Sequence, residues 1–364
     1  MNLFTQIVNP ADRAQPLDPS RHQARRQRTH LTTTHPQRGR RPRARTAARL
    51  VAVVASVALG AAACSSGGKH ATVSPTTPQT TATVPALVNS SLSGTGAFLG
   101  PVRRIPVGDI TIGYRQFGSG PDLILVTGDT ATMSEWTTTL LSRLGRHYHV
   151  TIFDNRGVGY TTDDTAVSDT VPLMADDTVG LIRALGLRHP ALLGWSMGGE
   201  IGLTIAALHP GVLRALVTTG SDLGGRHAIP TDAAVSKELN STKTTPLQLL
   251  NLLFPAGADP AKEAYISQLS QTVQEKVSPR TLRRQYQAEV AFNSFEQTWD
   301  ELPRTDLPIL VTNGTLDQLN PPANAAIIVD RATHAKRVMF ADAGHGMLFQ
   351  DTGKFVSLVT HFTG

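Results

Sequence analysis

The chain reads as an α/β protein, a mostly parallel sheet with helices on both faces and one helical insertion. Three features predict this. Apolar runs of four to six residues recur between residues 122 and 340. Helical patterns separate them, and alternating β and α units imply a parallel sheet covered on both sides. Between two of the runs, residues 223–305 carry helical patterns only. Hydrophobic residues make up 40% of the chain, enough to bury a sizeable core in a body this long.

The chain opens on a different kind of segment. Residues 1–50 hold 11 Lys+Arg against 2 Asp+Glu, whereas residues 51–364 hold 23 against 26. The formal charge of +6 therefore belongs to the head, and no nucleic-acid partner is expected for the body. A dense Arg cluster (Arg38 to Arg49) precedes Leu50–Ala63, a run of 14 uncharged residues. That run is short for a membrane span and fits the apolar region of an export signal. It ends in Ala61-Ala62-Ala63-Cys64, which resembles the lipobox of bacterial lipoproteins, although Ala61 stands where Leu is usual. The resemblance implies cleavage before Cys64, lipidation of Cys64, and a protein exported and anchored to the outer face of the membrane. An ordinary secretory signal is the alternative. Cys64 is the only Cys, which excludes an internal disulfide framework and a Cys-based zinc site. Residues 64–96 are rich in Ser, Thr and Pro and read as a flexible tether. Thus 1–63 is head plus signal, 64–96 tether, and 97–364 the folded domain.

Within that domain each element has its own signature. Ile110–Gln116 alternates with period two, as a half-exposed antiparallel strand does. Asp122–Thr127, His149–Phe153, Ala191–Gly194, Leu213–Thr218, Pro308–Thr312 and Arg337–Phe340 are continuous runs, expected as strands buried on both faces. Helical patterns fall at Ser134–Leu144, Met174–Leu185, Met197–Leu208, Ala323–Arg331 and Lys354–Phe362. The helical stretch 223–305 reads as a lid. Functional residues should stand on loops at the carboxyl ends of the strands.

Three such loops carry chemistry. Gly194-Trp195-Ser196-Met197-Gly198 is a G-x-S-x-G motif between an apolar strand and an apolar helix. A Ser on a sharp strand-to-helix turn projects its hydroxyl above the sheet edge, and the helix N-terminus favours an oxyanion there. Such a Ser needs a base. His345 follows the last strand between Gly344 and Gly346, and the other histidines of the body lack a comparable strand-end loop. The base needs an acceptor that fixes its tautomer. Asp317 follows the strand ending at Thr312 and is the favoured acceptor, with Asp222, at the end of the strand before it, as the alternative.

The order Ser196, Asp317, His345 resembles that of the α/β-hydrolase superfamily, and the likeness covers the whole body. Asp154-Asn155-Arg156-Gly157-Val158-Gly159 is similar to a loop of its lid-bearing members, where that loop is structural. The resemblance implies an eight-stranded sheet and an oxyanion hole from the backbone N–H groups of Met197 and Asp129. Thr127-Gly128-Asp129 stands where the family has His-Gly, and an acidic side chain beside an oxyanion is unfavourable unless it turns away. The Ser nucleophile separates the chain from the dehalogenase and epoxide-hydrolase branches. The expectation is a serine hydrolase of esters or lactones, acting through an acyl-enzyme on a small, apolar substrate without metal or cofactor. Peptidase, thioesterase, C–C hydrolase and cofactor-free peroxidase chemistry are alternatives within the fold. A non-catalytic ligand-binding lipoprotein is the alternative of another class. The run Leu247–Phe254 with Phe292, Phe295 and Trp299 either lines an acyl pocket or packs the lid onto its domain. Trp136 and Trp195 are expected to pack.

Overall fold

A computed structural model describes residues 98–364, apart from 164, 165, 242, 273, 274 and 276. The basic head, the signal-like run with Cys64 and the tether lie outside the described residues.

Eight strands form one sheet. They are β1 (Arg103–Val107), β2 (Ile110–Gly118), β3 (Asp122–Val126), β4 (His149–Phe153), β5 (Ala191–Trp195), β6 (Ala215–Thr219), β7 (Ile309–Gly314) and β8 (Ala335–Phe340). Their order across the sheet is β1-β2-β4-β3-β5-β6-β7-β8. β2 runs antiparallel to both β1 and β4, and every other pair is parallel. The helices are α1 (Thr138–Leu144), α2 (Val171–Ala184), α3 (Met197–Leu208), α4 (Ala233–Leu239), α5 (Pro246–Leu253), α6 (Asp259–Leu269), α7 (Pro279–Phe292), α8 (Gln297–Glu301), α9 (Asn324–Arg331), α10 (Met347–Gln350) and α11 (Thr352–Thr363).

The pleat of the central strands explains the continuous apolar runs. In β3, Leu123 and Leu125 point into one core with α1, α5, α6, α10 and α11. Ile124 and Val126 point into a second core with α2, α3, α7 and α9. All four side chains are fully buried, each contributing about 1.5–3 kcal/mol by leaving water.

Three elements differ from expectation. β2 is not half-exposed: Tyr114 and Arg115 are both buried, because β1 pairs along its outer edge and Arg115 reaches back to the Gly100 carbonyl. β8 is not buried on both faces, since it is the edge strand and has only β7 beside it. The helical pattern Ser134–Leu144 is split. A 3-10 turn covers Met133–Glu135, and Thr137 starts α1 afresh by accepting from Leu140 N–H. Between β6 and β7 the described residues form helices α4 to α8 and no strand, as the pattern over 223–305 anticipates.

Candidate active site

Ser196 directly follows β5 and caps α3, with φ 57° and ψ −129°. This left-handed conformation costs a non-glycine residue about 1–3 kcal/mol and persists only where its surroundings enforce it. Here they do. Ser196 N–H donates to Thr219 O at 2.8 Å. Ser196 O accepts from Gly199 N–H and from Ser221 Oγ, each at 2.8 Å. The motif's glycines are steric necessities: a Cβ on Gly198 would sit 2.1 Å from Val126 O, and one on Gly194 would sit 2.2 Å from Gly198 O.

His345 and Asp317 meet as expected. His345 Nδ1 lies 2.9 Å from Asp317 Oδ2, and both residues are buried. A carboxylate accepts only, so the proton of this bond is assigned to Nδ1 and Nε2 is left free to accept. Asp317 is itself fixed, because its Oδ1 accepts from Leu319 N–H and Asn320 N–H, each at 2.9 Å. Gly220, at φ +59°, floors the pair; a Cβ there would come within 2.9 Å of His345 Nδ1. Asp222 is not the partner of His345. Its carboxylate accepts from Gly224 N–H at 2.7 Å and from Asn320 Nδ2 at 2.9 Å.

The neighbouring sequence serves these side chains. Trp195 packs as expected, 6.0 Å from the Trp136 ring. It also donates from Nε1 to His345 O at 3.1 Å and holds its ring 5.7 Å from the imidazole, which ties the histidine loop to the elbow. Gly128 lies against the serine, where a Cβ would be 2.9 Å from Ser196 Cβ. That contact sets the backbone of the next residue, Asp129, beside the elbow. Met197 N–H is one of the four orphan donors at the start of α3. Among the described residues neither Asp129 N–H nor Met197 N–H finds an acceptor. The Asp154–Gly159 loop is structural, as its resemblance implies. Asp154 accepts from Met133 and Tyr160 N–H at 2.7 Å each, and Arg156 pairs with Asp109 and Asp177. Burial pushes the Asp154 carboxyl up to about 7.

Two sets of residues near the serine escaped sequence reasoning. Gln285, on α7 and fully buried, accepts from Thr130 N–H at 2.6 Å and donates to Arg156 O at 3.0 Å, so a helix far along the chain braces the turn after β3. Carboxyl groups form the second set. Glu200, in the first turn of α3, stands against Glu289 of α7 and feels Asp222 and Asp129. Burial first, then repulsion, raises both glutamates well above the usual range. Glu200 feels Glu289, Asp222 and Asp129, and Glu289 feels Asp129 and Asp222 while its hydrogen bond with Glu200 pulls it back. Burial raises Asp129 to about 7. One signal was present: Glu200 is the only charge in the apolar helix MGGEIGLTIAAL.

The aromatic residues of 223–305 make ring contacts of the packing kind. Phe254 contacts Tyr265 at 5.3 Å, Phe292 stacks near Phe295, and Trp299 stacks on His227 at 3.7 Å beneath Arg331.

The profile of the alpha/beta hydrolase fold family matches residues 121–352, which contain the elbow, Asp317 and His345. A pimeloyl-[acyl-carrier protein] methyl ester esterase from Aeromonas hydrophila is 24% identical over 262 residues, 70% of this chain and 100% of that protein. A 2-hydroxymuconate semialdehyde hydrolase from a Pseudomonas species is 24% identical over 280 residues, 71% and 93% of the two chains. Among solved structures, an alpha/beta hydrolase fold protein from Chitinophaga pinensis superposes with a TM-score of 0.63 at 23% identity, covering 72% of this chain and 96% of that one. The chain belongs to the alpha/beta hydrolase fold family and is a hydrolase.

Proposed function

We propose that the protein is a serine esterase that works through an acyl-enzyme on Ser196. The observation that carries this reading is the buried His345–Asp317 pair at 2.9 Å beside a serine held in a strained elbow. Ser196 Oγ attacks the ester carbonyl carbon while its proton passes to His345 Nε2. Asp317 keeps the imidazole in the accepting tautomer and stabilises the cation that forms. The developing oxyanion lies between Asp129 N–H, Met197 N–H and the positive end of α3. His345 then returns the proton to the departing alcohol oxygen as the carbon–oxygen bond breaks. Water, deprotonated by His345, attacks the acyl-enzyme, and the acid leaves as Ser196 regains its proton. Helices α4 to α8 serve as the lid, in keeping with Gln285 reaching from α7 to the oxyanion turn. Cys64, exported and lipidated, tethers this domain to the outer face of the membrane.

Likeness to an esterase that cleaves a methyl ester supports ester over C–C cleavage, since that relative is covered along its whole length. The test is hydrolysis of p-nitrophenyl esters from acetate to palmitate by the protein and by Ser196→Ala, with fluorophosphonate labelling alongside. Turnover and labelling that vanish in Ser196→Ala are expected. Ester turnover that survives in Ser196→Ala would refute the mechanism.

A further inference from the structure

The carboxyl groups around the serine are not needed for ester cleavage, and their arrangement is costly. Asp129 follows β3, Glu200 lies one turn into α3, Asp222 follows β6, and Glu289 is on α7, so four separate elements bring acids near enough to act on one another. Glu200 is 4% exposed. Its carboxyl meets that of Glu289, yet its Oε2 has no hydrogen-bond partner among the described residues. Asp129 Oδ1 is likewise buried without a partner. Asp222 is satisfied by Gly224 N–H and Asn320 Nδ2 and adds negative field. A buried acceptor left unpaired costs about 1–3 kcal/mol, more when charged. The charges that bear on Glu200 and Glu289 are those of other carboxyls, so the protein supplies repulsion where a counter-ion is called for.

Among the described residues no three acidic, His or Cys side chains converge tightly enough to ligate a metal ion. A larger cation with several N–H donors fits better. We propose that Asp129, Glu200 and Glu289, backed by Asp222, form a subsite for a primary ammonium group of the substrate. The enzyme would then select acyl compounds that carry an amine. The subsite's role in catalysis rests on the esterase reading; its capacity to bind a cation does not. It replaces the expectation of a wholly apolar substrate. A bound ammonium donates to the orphaned Asp129 Oδ1 and Glu200 Oε2 and offsets the repulsion between the acids.

The test uses two esters of equal length, p-nitrophenyl 6-aminohexanoate and p-nitrophenyl heptanoate, which differ by an ammonium in place of a methyl. Alkylammonium chlorides from butyl to octyl serve as inhibitors and as ligands in thermal melts, with the matching alcohols as neutral controls. We expect kcat/KM to favour the aminohexanoate by about tenfold or more. Alkylammonium ions should raise the melting temperature and compete with the heptanoate where the alcohols do not. Glu200→Gln and Glu289→Gln should each erase most of both effects, read as a ratio of the two esters within one protein. If no ammonium in the series protects or inhibits while heptanoate is still hydrolysed, the subsite is refuted and the esterase reading stands. If neither ester turns over, the esterase reading fails, and the melts alone decide the cation site.

Discussion

Replacing Asp317 by Asn alters the chemistry of one atom and leaves the side-chain volume unchanged. The structure dictates how the new amide must sit. Asp317 Oδ1 accepts from two backbone N–H groups, Leu319 and Asn320, at 2.9 Å each. An Asn must keep its oxygen there, because a flip would press its NH2 against two donors and cost two hydrogen bonds in a buried site. The NH2 is therefore delivered to His345 Nδ1, which sits 2.9 Å from the present Oδ2. Nδ1 must then accept, the ring proton moves to Nε2, and the nitrogen meant to take the serine proton already holds one. Wrong-tautomer changes of this kind lower kcat by about 10⁴-fold, or about 5.5 kcal/mol of transition-state stabilisation. The fold should be nearly untouched, since both backbone bonds survive. The assay is kcat on a p-nitrophenyl ester at neutral pH, with a thermal melt as the control for folding. A folded Asp317→Asn protein within about tenfold of the parent would refute the reasoning and move attention to Asp222.

Other consequences can be checked separately. Gly198→Ala drives a Cβ to 2.1 Å from Val126 O, a backbone atom that cannot swing away. A destabilisation of about 3 kcal/mol or more, seen as a melting point lower by roughly 6 °C or more, should follow, and an unchanged melt would contradict the steric account. Glu200 binds its proton more tightly in the folded protein than its ordinary value of 4.5 implies, owing first to burial and then to Glu289, Asp222 and Asp129. Its contribution to stability is therefore full below about pH 4.5 and is lost as pH rises through the folded value. Glu200→Gln, which cannot ionise, should exceed the parent's melting temperature at about pH 8 and lose that advantage at about pH 4; a pH-independent difference would argue against a buried, repelled carboxyl. Cys64→Ala should shift the protein from the membrane fraction to the soluble fraction, and unchanged fractionation would count against lipidation.

The sequence by itself determined the parts of this protein that local physics dictates. Strands β3, β5 and β6 are legible because a strand buried on both faces reads as a near-continuous apolar run, and both their apolar cores are realised. The elbow is legible because Gly194 and Gly198 must lack a Cβ wherever that turn is made. Ser196, Asp317 and His345 could be named because each follows a strand, where a parallel sheet gathers its loops at one edge. Tertiary structure decided what depends on partners distant in sequence. The sequence favours Asp317 over Asp222 as the acceptor, and the structure separates them by placing His345 on Asp317 and Asn320 Nδ2 on Asp222. β8 reads as a core strand, yet its edge position exposes it, because burial is a property of neighbours. Gln285 and Glu289 carry no signal of their own. They gain meaning when α7, some 90 to 155 residues along the chain from Glu200 and Thr130, sets an amide on the turn after β3 and a carboxyl against α3.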